Sequence, residues 1–360
     1  MAAMPSFVPV NRSGALSSGL FPPLAPYASE MLPVGHGHVL YVEQCGRPDG
    51  IPLLFLHGGP GSGASARHRQ FFDPRRFRAV LWDQRGCQRS LPRAGLQHND
   101  TDALVADCER LRQHLGIERW LVMGGSWGAG LALAYAAAHP EACLGLLLRS
   151  VFLGRSSDVD WFFAGAARQL PEAWQALAHR VQGLPQPLHW QPNRATGQSV
   201  LQALHAGVNG PDPARALACS LAWEAWEQSL IERRTVAERT LGAGEEAERM
   251  CNRYRIQAHY LVHQVFREGA GLLPAGTPLQ GLQGLPTAII HGCQDWLCQP
   301  EAALELHRLL PQSRLQWVPE GDHNPFDPGQ LAASMGALAH FARHGHFEGW
   351  GMCDDTGAGA

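Results

Sequence analysis

The sequence contains no lysine, and all 29 of its Lys and Arg residues are arginine. A Schiff base to pyridoxal phosphate needs a lysine amine, and the phosphate-binding loop of Walker-type NTPases needs a lysine beside its glycines. Both classes of enzyme are therefore excluded. The 32 acidic residues leave a net charge of −3, so we expect no basic surface for nucleic acid.

The sequence also lacks a long apolar run and a regular cysteine pattern. No stretch reaches the roughly 18 apolar residues of a membrane span, and residues 1–30 lack the basic start and apolar run of a signal peptide. The nine cysteines are irregularly spaced; Cys293 and Cys298 are the closest pair, and no second pair completes a zinc site. We therefore expect a cytoplasmic protein with reduced cysteines and no metal, cofactor or membrane partner.

Changes in composition divide the 360 residues into five predicted segments. Residues 1–30 are rich in Pro, Ser and Gly and are expected to form a loose extension. Residues 31–154 and 277–346 alternate buried-strand runs with helical runs and predict two parts of one α/β core. Residues 155–276 lack strand patterns and predict an inserted helical cap, and residues 347–360 predict a flexible tail.

Short apolar runs in the first core segment predict strands. Residues 51–56 and 78–82 are continuous buried-strand runs, and the weakly alternating residues 38–45 suit an edge strand. Continuous apolar strands that alternate with helices indicate a mostly parallel sheet flanked by helices. Functional residues in such sheets lie at the carboxyl ends of the strands. The strand ends here carry His57, Asp83 and Ser126.

A further apolar run ends in Gly124-Gly125-Ser126-Trp127-Gly128 and is followed by a helical run rich in Ala and Leu. This order of strand, tight turn and helix is typical of a nucleophile elbow. Glycines on either side of the serine avoid a clash of β-carbons at the turn. Ser126 is therefore a candidate nucleophile, although an isolated motif of this kind also occurs in inert turns.

A nucleophilic serine needs a base and a carboxylate, and in this type of sheet both follow it in chain order. Asp295 and His323 each lie five residues beyond a predicted strand, in that order. We therefore predict a Ser126, Asp295 and His323 triad. The alternatives are a turn residue at Asp295, a solvated histidine at His323, and Asp322 as a competing acid. His57, which precedes a glycine turn, is interpreted as a residue that braces its loop.

Acyl transfer also needs two backbone N–H groups directed at the oxyanion. Trp127 follows the nucleophile and supplies one of them. Gly58 or Gly59 supplies the other, because a backbone without a side chain can approach the substrate closely. We predict that Gly59 is the second donor.

Taken together, these residues resemble the prolyl iminopeptidases, which are α/β-hydrolases with a helical cap. The three motifs that carry the resemblance are specific as a set, and further matches extend it over roughly residues 30–345. The motifs are His57-Gly58-Gly59-Pro60-Gly61, Trp82-Asp83-Gln84-Arg85-Gly86-Cys87 and Gly124-Gly125-Ser126-Trp127-Gly128.

The resemblance implies release of an N-terminal proline from small peptides. Such an enzyme has to hold a small apolar ring and to neutralise a buried secondary ammonium, which is costly without a carboxylate. By resemblance, Phe152 and Phe162 form walls for the ring, and Glu227 binds the amine. Gln257 stands where the family usually has a second glutamate, so it supplies a hydrogen-bond acceptor without charge.

Two other functions stay open at this point. Gln257 favours an esterase or amidase of the same fold that acts on small neutral acyl groups. A binding protein that has the fold without the activity is a second alternative, although such a protein does not need an intact Ser-Asp-His set. The sequence leaves the oligomeric state open.

Overall fold

The computed structural model describes residues 19–184, 195–267, 271–273 and 281–351. Within these residues the strands form one eight-stranded sheet. The strands are β1 Ala28–Gly35, β2 His38–Gly46, β3 Ile51–Leu56, β4 Phe77–Trp82, β5 Trp120–Gly125, β6 Cys143–Arg149, β7 Thr287–Gly292 and β8 Arg314–Val318. The helices are α1 Thr101–His114, α2 Trp127–Ala138, α3 Ser156–Phe163, α4 Pro171–Gln182, α5 Gly197–Val208, α6 Pro213–Glu232, α7 Glu245–Val262, α8 Pro300–Leu309 and α9 Pro328–His344.

The order of the strands across the sheet is β1-β2-β4-β3-β5-β6-β7-β8. Strands β3 to β8 pair in parallel, whereas β1 with β2 and β2 with β4 pair antiparallel. The predicted α/β class and mostly parallel sheet are therefore confirmed. All carboxyl ends of the parallel strands lie at one edge, which brings together the loops after β3, β4, β5, β7 and β8.

Helices cover both faces of the sheet, because its central strands are apolar on both sides. In β3, Leu54 and Leu56 pack into a buried cluster with α1, α2 and α8. Leu53 and Phe55 point the other way and pack with α9. Burial on both faces explains why the strands read as continuous apolar runs without alternation.

The first strand corrects the expected N-terminal extension. Residues 1–30 were predicted to be loose and residues 38–45 to form the sheet edge, but β1 begins at Ala28, pairs with β2 and forms that edge itself. Most β1 side chains are exposed and Pro33 lies within the strand, as edge strands allow. Backbone pairing holds this strand, so the apolar pattern gave no sign of it. Residues 1–18 lie outside the described residues.

The other terminus is also better packed than expected. The predicted flexible tail, residues 347–360, begins with buried Phe347 and Trp350 in the described part. The Phe347 ring lies 5.1 Å from the Phe341 ring of α9, centroid to centroid, and 6.2 Å from the Trp350 ring. These aromatic contacts anchor the chain immediately after α9, so the prediction is wrong for residues 347–351. The rest of the tail lies outside the described residues.

Helices α3 to α7 lie between β6 and β7 in the chain and share a buried cluster of their own. This cluster includes Phe163 of α3, Trp223 of α6 and Tyr254 of α7, whose rings are in edge-to-face and tilted contact at centroid distances of 5.2 and 5.1 Å. The predicted cap, residues 155–276, includes all five of these helices in its sequence range. Its predicted end at residue 276 lies outside the described residues. In the part of the chain that the structure describes, no helix is both long and apolar enough to cross a membrane.

Arg85 and Asp107 form a buried ion pair that attaches the loop after β4 to α1. Two N–H groups of Arg85 donate to the two Asp107 oxygens at 2.6 and 2.8 Å, and both side chains are almost fully buried. A buried pair of this kind is costly to break from one side, because the remaining charge loses its partner in a site that water cannot reach.

Asp107→Asn should therefore lower the free energy of unfolding by about 3 kcal/mol, since it leaves the Arg85 guanidinium without a counter-charge. Urea denaturation followed by circular dichroism measures the loss. Asp49→Asn is the matched control, because Asp49 pairs with Arg47 at the exposed surface and should leave stability unchanged. Equal stability of the Asp107 variant and the wild type would contradict this role of the buried pair.

Candidate active site

Ser126 lies on a sharp turn between β5 and α2. Its φ of 57° and ψ of −124° are unusual for a residue with a side chain. Strand and helix approach so closely here that a Cβ on Gly128 would lie 2.1 Å from the Leu56 carbonyl oxygen of β3. A Cβ on Gly124 would lie equally close to the Gly128 oxygen. These contacts give the strand, turn and helix geometry of a nucleophile elbow.

The Ser126 hydroxyl faces a thiol in this structure. Its Oγ lies 4.0 Å from the Cys298 Sγ. Within the described residues, this is the only hydrogen bond that the Ser126 side chain makes. Burial raises the pKa of the Cys298 thiol well above its usual value, so the thiol stays protonated and cannot act as a base. Within the described residues Ser126 Oγ makes no hydrogen bond to His323, so the two side chains have to come closer before a proton can pass between them, as is common in hydrolases without bound substrate.

Asp295 and His323 are in direct contact. Asp295 Oδ2 lies 2.8 Å from His323 Nδ1, and its Oδ1 accepts hydrogen bonds from the backbone N–H groups of Leu297 and Cys298. Burial by itself would raise the pKa of Asp295, but the charge and hydrogen bond of His323 lower it to about 2. The carboxylate is therefore ionised, fixed in orientation, and able to hold His323 with its Nε2 free.

A buried arginine supports the loop that carries His323. Arg149 is the last residue of β6, and its Nη1 donates to the His323 carbonyl oxygen at 2.7 Å and to Ser150 Oγ at 2.9 Å. The competing acid considered from the sequence, Asp322, instead accepts a hydrogen bond from the Asn324 backbone at 2.7 Å. Asp295 is thus the acid in contact with the histidine.

Gly59 and Trp127 each present a free backbone donor. Within the described residues, neither N–H group has a hydrogen-bond acceptor in the protein. Trp127 is the first residue of α2, where N–H groups have no partner inside the helix and the helix dipole adds positive potential. Gly59 has a φ of +118°, and a Cβ there would lie 2.6 Å from the Gly61 nitrogen, so only glycine fits.

His57 braces the loop after β3, as the sequence analysis interpreted it. The Gln84 N–H lies 3.0 Å from His57 Nε2, and the Gly63 N–H lies 3.2 Å from Nδ1, which is also 3.0 Å from the Gly58 carbonyl oxygen. Burial lowers the pKa of His57, so the ring stays neutral. Gln84 also accepts a hydrogen bond from Trp127 Nε1 at 2.9 Å and so links the loops that carry the two free donors.

A cavity of about 250 Å³ lies beside Ser126. It is lined by the Gly59 loop, by His323 and by α3, α6 and α7, and most of its wall is apolar. Seven of the nine residues predicted for the site line it; the side chains of Trp127 and Asp295 lie behind its wall. The seven are Gly59, Ser126, Phe152, Phe162, Glu227, Gln257 and His323.

Glu227 accepts three hydrogen bonds from α7. Arg253 Nη2 and the Tyr254 hydroxyl donate to its Oε2 at 2.9 and 2.8 Å, and Gln257 Nε2 donates to its Oε1 at 2.5 Å. Since the carboxylate only accepts, this contact fixes the orientation of the Gln257 amide. Gln257 Oε1 is then a buried acceptor with no partner among the described residues.

Comparison with known proteins agrees with this geometry. A family model described as the alpha/beta hydrolase fold matches residues 51–330. A proline iminopeptidase of Xanthomonas citri is 40% identical over 326 residues, which are 90% of this chain and 99% of the relative. A proline iminopeptidase of Arabidopsis thaliana is 38% identical over 315 residues, which are 86% of this chain and 78% of the relative.

This chain belongs to the proline iminopeptidase family. A crystal structure of the Mycobacterium smegmatis proline iminopeptidase matches with a TM-score of 0.54 at 18% identity, and the match covers 88% of this chain and 98% of that one. At that identity the structural match supports the fold alone. The fold and family expected from the motifs are confirmed.

Two residues that contact Glu227 were not predicted from the sequence. Arg253 and Tyr254 are both in contact with the carboxylate, and Arg253 also lines the cavity. A signal for Arg253 was present, since it lies four residues before Gln257 and therefore on the same helix face. No comparable signal points to Tyr254, because its contact depends on how α6 and α7 pack.

The chemistry available at this site is that of acids, bases and backbone donors. In the described part of the chain, no group of three or more His, Cys, Asp or Glu side chains has the geometry of a metal site. The groups close to the cavity are a serine hydroxyl, a histidine held by a carboxylate, two free N–H groups and the Glu227 cluster.

The lowered pKa of Asp295 makes the stability of the fold depend on pH. The folded pKa of about 2 lies below the ordinary value of 3.8, so the ionised carboxylate contributes about 2 kcal/mol. This contribution is complete above about pH 5 and is lost as the pH falls toward 2. The difference in unfolding free energy between wild type and Asp295→Asn should therefore shrink by about half between pH 7 and pH 3.

Urea unfolding at the two pH values measures this difference. Asp322→Asn is the control, because burial raises the pKa of Asp322 and its ionised form provides no such stabilisation. A difference for Asp295→Asn that does not change with pH would show that the carboxylate is not held by His323.

Proposed function

We propose that this family member is a serine aminopeptidase that releases an N-terminal proline from peptides through an acyl-enzyme on Ser126. One observation carries the proposal: the wall of the apolar cavity beside Ser126 includes the buried carboxylate of Glu227 and the side chain of Gln257, whose buried amide oxygen has no partner among the described residues. These two acceptors suit the ring amine of proline, and the apolar wall that includes Phe152 and Phe162 suits the ring itself.

The acyl-transfer step uses the predicted triad. His323 takes the proton of Ser126 as Oγ attacks the carbonyl carbon of the N-terminal proline, and Asp295 stabilises the imidazolium that forms. The oxyanion is stabilised by the N–H groups of Gly59 and Trp127, which need no rearrangement to donate. His323 then protonates the leaving amine, and water activated by the same histidine hydrolyses the acyl-enzyme.

A count of hydrogen bonds favours a secondary amine. A carboxylate offers about four acceptor positions, and three on Glu227 are used by α7, which leaves about one. The unpartnered Oε1 of Gln257 supplies another acceptor. An N-terminal proline carries two N–H donors on its ring nitrogen, so both can be satisfied, whereas a primary ammonium keeps a third N–H without a partner.

Helices α3 to α7 act as the cap in this proposal. They supply Phe162, Glu227, Arg253 and Gln257 to the cavity wall, while the sheet supplies Ser126 and its partners. A cap of this kind closes one end of the cavity and restricts it to a small N-terminal group. The division into core segments 31–154 and 277–346 and cap 155–276 is part of the same proposal.

An esterase or amidase for small neutral acyl groups is the second candidate. The pairing of Glu227 with Arg253 favours it, because the carboxylate already has a positive partner at 2.9 Å. The two functions share the triad and differ only in whether the substrate amine contributes to binding.

A three-substrate assay tests the proposed function. The enzyme should cleave an L-prolyl arylamide with a higher kcat/KM than an L-alanyl arylamide or a short-chain aryl ester, and Ser126→Ala should reduce kcat on all three by about 10⁵ or more. Ser199→Ala in α5, which does not line the cavity, is the control and should keep full activity. Preference for the ester over both amides would favour the second candidate, and turnover by Ser126→Ala would remove the serine mechanism.

Glu227→Gln tests the amine site without changing its shape. The variant should raise KM for the L-prolyl arylamide about tenfold or more, since a charged hydrogen bond becomes a neutral one, and change KM for the ester little. Glu224→Gln is the matched control, because Glu224 lies one turn earlier on α6 and pairs with Arg239. Equal increases on amide and ester would contradict amine binding by Glu227.

A further inference from the structure

The ion pair between Glu227 and Arg253 forms part of the cavity wall. Both side chains line the cavity, and the Arg253 Nη2 to Glu227 Oε2 distance is 2.9 Å. The Glu227 side chain is 6% exposed and that of Arg253 is 28% exposed. The carboxylate is therefore the better buried partner, and the guanidinium lies on the more open side of the pair.

This pair leaves little net charge for a substrate ammonium to meet. The other carboxylate on the cavity wall, Asp158, is held by Arg155 at 2.9 Å. Arg149 adds a buried positive charge on the same wall. Burial by itself would lower the pKa of Arg253, but the neighbouring Tyr254 and Glu227 raise it, so the guanidinium stays charged. The Glu227–Arg253 pair therefore carries no net charge in the free protein.

The contact is also weaker than a full arginine–carboxylate pair. Only Nη2 donates to Glu227, whereas bidentate pairs use two parallel N–H groups. The Nε of Arg253 is buried and has no partner among the described residues. A substrate cation can therefore compete for Glu227, and it has to overcome the attraction between the two residues to do so.

We propose that Arg253 is a specificity-determining residue, a built-in counter-charge that competes with the substrate ammonium for Glu227. This inference rests on the proposed function and refines its substrate class. The cavity selects five-membered-ring acyl groups by shape and by hydrogen bonds to the ring nitrogen, and Arg253 offsets part of the attraction between Glu227 and the positive charge of that nitrogen. Neutral ring acyl groups are then accepted much more readily than a site with an unpaired carboxylate would allow.

Two other hydrogen-bond donors hold Glu227 in place, so the charge of Arg253 can be removed without moving the carboxylate. The Tyr254 hydroxyl at 2.8 Å and Gln257 Nε2 at 2.5 Å hold the carboxylate from the same helix. Removal of the guanidinium therefore leaves Glu227 in position and exposes its charge to the substrate.

Binding of two ligands to the Ser126→Ala protein tests the proposal without any need for turnover. L-prolinamide carries the charged ring nitrogen, and cyclopentanecarboxamide has the same ring without it. At pH 7, adding Arg253→Met should lower the Kd of L-prolinamide about tenfold and change that of cyclopentanecarboxamide less than about twofold, as measured by calorimetry. Arg253→Gln, which keeps a donor and loses the charge, should shift the Kd in the same direction.

Arg249→Met is the matched control, because Arg249 lies one turn earlier on α7 and pairs with Glu245 at the surface. It should change neither Kd. Thermal melting of each variant shows which of the two Arg253 substitutions is folded and can be interpreted.

The possible outcomes distinguish a failure of the Arg253 proposal from a failure of the proposed function. Binding of L-prolinamide that is unchanged or weaker in the folded Arg253 variants would overturn the counter-charge role and leave the proposed function standing. An equal gain in affinity for both ligands would also overturn it, because the gain would then come from a larger cavity and not from the lost positive charge. If the Ser126→Ala protein binds neither ligand, the proline site and the role of Arg253 are both rejected.

Discussion

The close crossing of α2 over β3 is the constraint on which the rest of the site depends. Gly128 lies against the Leu56 carbonyl oxygen with no room for a Cβ, so the helix starts directly beside the end of the neighbouring strand. This contact brings the loop that carries Gly59 next to the turn that carries Ser126. The two free backbone donors, Gly59 and Trp127, therefore lie in neighbouring segments of the chain. The positive φ of Ser126 is a strained conformation that this arrangement requires.

Two buried carboxylates in this protein have opposite surroundings. Asp295 accepts two hydrogen bonds from backbone N–H groups and one from His323, and it does not line the cavity, so it is out of reach of a substrate there. Glu227, whose side chain lines the cavity, is held by three side chains and keeps about one acceptor position. In the proposed mechanism the first carboxylate orients a base, and the second binds the substrate amine in competition with Arg253.

The sequence predicted the parts of the fold and site that depend on local pattern. The buried strands, the helix after Ser126 and the chain order of Asp295 and His323 all follow from apolar runs and from residues placed at strand ends. It failed at β1 and at Phe347 and Trp350. An exposed edge strand is held by backbone pairing that leaves no apolar pattern, and terminal aromatics become buried only through contact with a distant helix.

By itself, the sequence determined the fold class and the family, and it predicted which groups react. Strand periodicity and glycine positions depend on interactions over a few residues, which can be read directly from the chain. Only the tertiary structure decided how these groups are paired. Ser126 faces Cys298 because the loops after β5 and β7 meet at the same edge of the sheet, and Glu227 pairs with Arg253 because α6 packs against α7. The chemistry of the pocket was therefore predictable, whereas its charge balance was not.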